Sequence, residues 1–458
     1  PKLASPPMTA SALSTLSALS LVAGAALPPH LTIIFPPLLD AMASADEGLV
    51  LAATDAATSV LKAVPNDAHY LLIPEVIGGL RDDREQIRAS ACVLCGVFAA
   101  HAPSYVPTDD VPRLIEGLFG LFCDADTQVV SNAWQALCVV MGTVGKEDQG
   151  VYLRDVRAGV EFCREKVRRG LRKENKPTKE LLVPGLCLPK GLAPIAMVFL
   201  QGVLNGKSSE QRESAAEGLK EAIASCTPAS LKPHVIQITG PLIRVLGDKH
   251  SGGVKAATLA ALNAMIEKGG VSLKPFVPQL QTTFVKCLVD THRPVRQRAA
   301  QALGRLVVLQ PRVDALVGDL VNSIATSDAR DGSVEATLRA VAGAFAHAGA
   351  NVKPLTVLAA KNVCWEIGQE SDDEQTRAAA ALALAHVSAF LAENDRVSLI
   401  ETLGELDASL SDDAREHRAL SLGALARTHP ELVLASHASA ALNGLARHSR
   451  DTEREAIR

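Results

Sequence analysis

The sequence predicts an all-α fold, a right-handed α-solenoid of about ten two-helix repeats. Three observations predict it. A similar pattern returns at intervals of 39 to 43 residues along the chain. Apolar residues fall at helical spacing, and the β-branched alternation with tight hairpin turns that marks strands is absent. The composition is 48% hydrophobic and rich in Ala, with only 3% Phe, Trp and Tyr, which suits helices packed closely side by side. A chain of 458 residues also exceeds the roughly 250–300 residues one core supports, so it forms several domains or one repeating array.

The period is read directly. LKPHVIQITGPLIRVLGD from Leu231 aligns with LKPFVPQLQTTFVKCLVD from Leu273 at an offset of 42. Each block is followed by an acidic turn, a Val with a basic residue, and an Ala-rich helix, VKAATLAALNAM from Val254 and VRQRAAQALGRL from Val295. The residue after that Val gives a ladder: Arg88, Val130, Arg212, Lys255, Arg296, Glu335, Arg377 and Arg418, with one double step from 130 to 212. This spacing matches HEAT and armadillo arrays and not the shorter tetratricopeptide or ankyrin periods.

Within a unit, Ala299, Ala300, Leu303, Leu306 and Val307 share one face of a helix over 294–310. Pro294 sits in its first turn, with Asp290 or Thr291 expected to cap the free N–H groups. The second helix carries Phe276, Leu280, Phe284 and Leu288 as its stripe, and neither stripe can be buried without a neighbouring repeat. First helices are expected near 9–26, 46–64, 84–101, 127–144, 208–226, 252–268, 294–310, 332–349, 373–391 and 412–428. Residues 164–190 break the rhythm and read as an extended connector, dividing an N-terminal stack (1–163) from a second stack (191–458).

The net charge of −4 excludes a chain that is basic overall, so nucleic-acid contact would need a local patch. Nine cysteines, an odd number, lie mostly inside apolar helical runs (Cys92, Cys95, Cys138, Cys226, Cys287, Cys364) and suggest a reducing, cytosolic setting. No long uncharged apolar run and no signal-peptide pattern occurs, so no membrane contact is expected. The start at Pro1 and the stop at Arg458 inside a charged helical pattern suggest a piece of something longer.

Little points to chemistry. Cys92 and Cys95 form a C-x-x-C, but without a second pair or a His-x-x-x-His they read as core thiols. Gly142 to Lys146 (GTVGK) lacks the spacing and the Ser or Thr of a phosphate loop. No nucleophile elbow, zinc-protease or kinase signature occurs. No enzyme activity, cofactor, metal or small-molecule substrate is expected.

Two charged features remain. Arg164, Lys166, Arg168, Arg169, Arg172, Lys173, Lys176 and Lys179 place eight cations in 16 residues, with Glu165 and Glu174 between them. They are a solvated helix end and loop, or a contact for ribosomal RNA phosphate. Arg244, in GPLIRVLGD, should point away from Leu242, Val245 and Leu246 on a helix beginning at about Thr239, and its counterpart one repeat later is Lys286. An exposed Arg is usually solvation, but its planar fork makes it a frequent anchor for carboxylates.

ITGPLIRVLGD, LKPFVPQLQTTFVKCL, VRQRAAQALGRLV with the following RVDALV, and VPGLCLPKGLAPI resemble the C-terminal third of the general control non-derepressible translational activators. The likeness covers nearly all of the chain and is strongest over 183–325. It implies a cytoplasmic, ribosome-associated scaffold that responds to stalled ribosomes and amino-acid starvation. Such a scaffold activates the kinase that phosphorylates the α subunit of translation initiation factor two. It implies that these repeats bind the RWD domain of that kinase, that the Arg of the GPLIR segment, here Arg244, is needed, and that Phe276 and the residues around Val289 belong to the kinase-binding stretch. Phe276 is expected to shape the surface by packing. The chain departs from the family in LGDKHSGG, which replaces a more apolar loop, and in a short helix near 190; the family's elongation-factor-three-like region is not seen. The alternatives are a nuclear-transport receptor or a phosphatase scaffold, with an enzyme carried on a solenoid as a separate class.

Overall fold

The structure is a computed structural model that describes residues 9–65, 68, 71–101, 110–175, 177, 180–247, 249–326, 332–405 and 410–432. The chain divides into two compact units, Pro1–Pro241 and Leu242–Arg458. Among the described residues there are helices and turns and no strand.

The first unit begins with α1 (Ala10–Ala23), α2 (Leu31–Met42), α3 (Glu47–Ala63), α4 (Ile73–Leu80), α5 (Glu85–His101), α6 (Val111–Leu121) and α7 (Thr127–Thr143). It continues with α8 (Leu153–Lys173), α9 (Pro184–Cys187), α10 (Ala196–Asn205), α11 (Ser209–Ala224) and α12 (Pro228–Leu231), and α13 (Val235–Gly247) runs across the boundary. The second unit contains α14 (Gly252–Gly269), α15 (Val277–Cys287), α16 (Arg293–Leu306), α17 (Val313–Thr326) and α18 (Ser333–Ala348). It ends with α19 (Pro354–Glu370), α20 (Glu374–Ser388), α21 (Glu393–Gly404) and α22 (Asp412–Thr428). Every expected first helix is present: α1, α3, α5, α7, α11, α14, α16, α18, α20 and α22.

First helices stack on first helices, α1 on α3 and α5 on α7 in one unit, and α14, α16, α18, α20 and α22 in turn in the other. Each second helix packs against its own repeat, as α4 does on α5 and α15 on α16. The contact surfaces are built from small residues. A Cβ on Gly304 of α16 would lie 2.8 Å from the Gly343 Cα of α18, so the two backbones approach as closely as glycine permits.

The ladder residues bridge consecutive repeats. Arg88 pairs with Asp124 at 2.9 Å, Lys255 with Asp290 at 3.0 Å, and buried Arg377 with Asp413 at 3.0 Å and with buried Glu416. Where the rung is Glu335 the charges are exchanged, and Arg293 reaches its two oxygens at 3.1 Å each. Burial alone would raise the Glu335 pKa, but bonds from Arg293, Gln297 and Arg339 outweigh it and hold the carboxyl below its ordinary range. Asp290 accepts from the His292 N–H at 2.9 Å, just outside α16, so it secures the turn and does not cap the helix interior.

Residues 164–190 are not an extended connector throughout. Residues 164–173 continue α8, because Val156, Val160 and Cys163 give that helix a buried stripe that carries the charged residues with it. The missing rung between 130 and 212 is replaced by the segment around VPGLCLPK. Its Val183 N–H bonds the Ser225 carbonyl at 2.9 Å and its Gly185 N–H the Phe122 carbonyl at 3.0 Å. The Gly191 carbonyl accepts from the Trp134 indole of α7 at 3.2 Å. Loop and short helix thus occupy the place of an absent first helix, ahead of the α10–α11 pair.

Two predictions concern stability. Gly304→Ala should cost about 1–3 kcal/mol by overpacking. Gly318→Ala in α17, where a Cβ meets nothing within 4 Å, should stabilise by about 0.5–1 kcal/mol; denaturant unfolding of both variants measures the contrast. His417 of α22 is fully buried, packed over Gly368 and edge-on to Trp365. Burial first, then the Arg418 and Arg377 charges, push its pKa down to about 4 from 6.5, against the opposing pull of the Arg377 backbone carbonyl as an acceptor. The unfolded chain takes up this proton near pH 6.5 and the folded one resists, so stability should fall as pH drops from about 6.5 towards about 4. His417→Phe should flatten that dependence in calorimetry, and an unchanged slope would count against the assignment.

Candidate functional site

Arg244 lies in the last turn of α13 and is exposed, while Leu242, Val245 and Leu246 beside it are buried. The helix begins at Val235 and not at Thr239, and Pro241 is accommodated inside it. One repeat later Lys286 is exposed in the last turn of α15. Neither cation has an ion-pair partner among the described residues. A cation in the last turn is favoured by the helix dipole, and an exposed one can meet an incoming carboxylate.

The same stretch presents apolar surface. Val289 is 67% exposed and Val285 38%, so an apolar edge flanks Lys286. Leu280, Phe284 and Leu288 are buried as the stripe requires, but Phe276 is half-buried at the entry to α15, where it shapes the surface without joining the core. Sequence reasoning did not single out Val285; its place one residue before Lys286, off the buried stripe, was the available signal.

The basic run divides by environment. Arg164 lies 3.8 Å from Glu221, and Arg168 and Arg169 both engage Glu165. Lys166 is exposed and reaches the Gly120 carbonyl at 3.5 Å. Arg172 and Lys173 are exposed at the end of α8 without an ion pair among the described residues. Lys176 and Lys179 lie outside the described residues.

Cys92 and Cys95 are fully buried in α5, and burial pushes both thiols up, Cys95 to about 12, which suits packing and not ligation. The GTVGK segment stands at the C-terminal end of α7, where the helix dipole repels phosphate. Among the described residues no cluster of three or more His, Cys, Asp or Glu is placed to hold a metal ion, and no helix is long and apolar enough to cross a membrane.

Comparison with known proteins gives these features a family. A family model described as stalled ribosome sensor GCN1-like HEAT repeats matches residues 1–190, and a HEAT-like repeat model matches 209–265 and 252–306. The chain is 38% identical to Protein ILITYHIA of Arabidopsis thaliana over 97% of its own length, and 33% identical to the human stalled ribosome sensor GCN1 over 96%. It is 32% identical over 94% of its length to the eIF-2-alpha kinase activator GCN1 of Saccharomyces cerevisiae. It spans 16% of the length of each of these relatives. The chain is a HEAT-repeat portion of the GCN1-like family, and its fold is the α-solenoid of that family.

Proposed function

We propose that this chain is the kinase-docking portion of a cytoplasmic, ribosome-associated scaffold that senses stalled ribosomes and activates the kinase acting on the α subunit of initiation factor two. It performs no chemistry of its own. The observation that carries the reading is exposed Arg244 at the end of α13, without an ion pair among the described residues, repeated as Lys286 at the end of α15 beside exposed Val285 and Val289. Relatives named as kinase activators and ribosome-stalling sensors support the activity, and they do not favour a transport receptor or a phosphatase scaffold.

In the proposed mechanism the RWD domain of the kinase lays a carboxylate on Arg244 and an apolar edge against Val285 and Val289, with Phe276 holding the shape of the surface and Lys286 adding a second charge. Tethering the kinase near the ribosome raises its effective concentration there to roughly millimolar without any catalytic group. Ribosome contact is proposed for Arg172 and Lys173, the exposed cations at the end of α8, acting on ribosomal RNA phosphate.

A charge-assisted bond contributes about 1.5–3 kcal/mol, so Arg244→Ala should weaken RWD-domain binding by about 10- to 100-fold. Calorimetry would measure the affinity, and circular dichroism and Tm should be unchanged because the side chain is exposed. Unaltered affinity would overturn the assignment. Exchanging Arg172 and Lys173 for Glu should lower ribosome co-sedimentation at low salt, with a salt slope reduced by about two phosphate contacts. Co-sedimentation equal to that of the parent chain at all salt concentrations would remove these residues from the ribosome contact.

A further inference from the structure

Two adjoining cavities lie along the second helices of the first unit. One, of about 550 Å³, has a floor of Leu80, Gly117, Gly120, Ala158 and Gly159 between α4, α6 and α8. The other, of about 730 Å³, runs along the C-terminal half of α8 to Leu182 and Pro184. Phe162 of α8 borders both and is 56% exposed, so a large aromatic side chain stands uncovered at the junction of two apolar hollows.

Two glycines keep the groove open. Gly120 stands next to last in α6 and Gly170 in the last turn of α8. Neither has a left-handed backbone, and a Cβ on either would meet nothing within 4 Å. Gly159, by contrast, is required, since its Cβ would strike the Phe119 ring at 2.3 Å. Gly120 borders the first cavity and Gly170 the second, and both leave the groove unobstructed.

Charge along the groove is graded. At the α4–α6 end Arg81 and Arg113 are balanced by Glu116 and Asp155. At the other end the described lining carries Lys166, Arg169 and Lys173 against one carboxylate, Glu165, with Asp124 also near Lys166. We infer that this groove docks an acidic amphipathic peptide segment of a partner protein, whose bulky apolar side chains pack beside Phe162 and over Gly120 while its carboxylates lie along Lys166, Arg169 and Lys173. A polyphosphate chain fits worse, because the neutral end would set its charges against Glu116 and Asp155 and the apolar floor offers base edges no donors. From Asp155 to Lys173 the helix rise gives about 27 Å, a length that about eight extended residues span.

The test uses the full chain and two fluorescein-labelled peptides of about 12 residues, each joining a Leu/Phe block to a Glu-rich block, in opposite orders. Fluorescence anisotropy should show binding of at least one order and none of the versions with Lys in place of Glu. Gly120→Leu should weaken binding by about tenfold or more with Tm unchanged or raised, which separates filling of the groove from misfolding. Lys166→Glu with Arg169→Glu should weaken it comparably. The inference is overturned if neither peptide binds, if Gly120→Leu binds as the parent does, or if single-stranded RNA of similar length binds and Gly120→Leu weakens it as it weakens the peptide. Loss of Arg244 should leave peptide binding unchanged, so this result and the kinase-docking result fail independently.

Discussion

The charged rung between repeats is the interaction on which the array depends. Ala-rich faces attract one another through contacts that are nearly alike from turn to turn, so apolar burial alone specifies register weakly. A rung cation corrects this with two directional demands. It satisfies free carbonyls at the end of the preceding second helix, as Arg212 does on Leu204 and Gly206 and Arg418 on Thr402 and Glu405. In several repeats it also meets a carboxylate about one repeat later, as in Arg88–Asp124 and Arg377–Glu416. The net stability of such partly buried pairs is small, but breaking one strands a charge in the stack, and this penalty selects register. The exchange at Glu335, with Arg293 and Arg339 around it, follows the same logic, since the requirement is paired opposite charge and not a particular sign.

Given that frame, the two helices of a repeat carry different duties. First helices are committed on several sides, and α14, α18 and α20 are buried along most of their length. Second helices need bury only one stripe, so their outer residues vary without cost to the stack. Arg244, Lys286, Val289 and Phe162 all lie on second helices or their ends, as does every cation of the basic run within the described residues.

Much of the fold was legible because the rung and the Ala-rich helix recur with little variation; from Arg88 to Arg418 they place the first helices within a few residues. Reading failed where local composition opposed a longer-range pattern. The cations of 164–173 resemble a loop, yet Val156, Val160 and Cys163 already carried the helical spacing, and their burial prolongs α8. The helix carrying Arg244 is expected to begin at about Thr239, but α13 starts at Val235 and holds Pro241 in its interior, with Ile238, Leu242 and Val245 buried around it. The exposure of Arg244 followed from helical phase alone. The groove was not legible, because its walls come from Leu80, Gly120 and Phe162, roughly 40 residues apart in turn, and its emptiness depends on what a side chain at Gly120 would fail to touch.

On the proposed reading, weak contacts suit the task. A scaffold that held its kinase through one large interface would bind it whether or not a ribosome had stalled, whereas an arginine contact of about 1.5–3 kcal/mol retains the partner only when a second attachment keeps it near. Surfaces on separate repeats supply such attachments, because linked sites turn the second binding event into an intramolecular one with an effective concentration of roughly millimolar. The array permits this division physically: the rungs hold register through the first helices, so each second helix can acquire or lose a contact without disturbing its neighbours. Recognition can therefore be distributed over many modest sites while the stack beneath them stays the same.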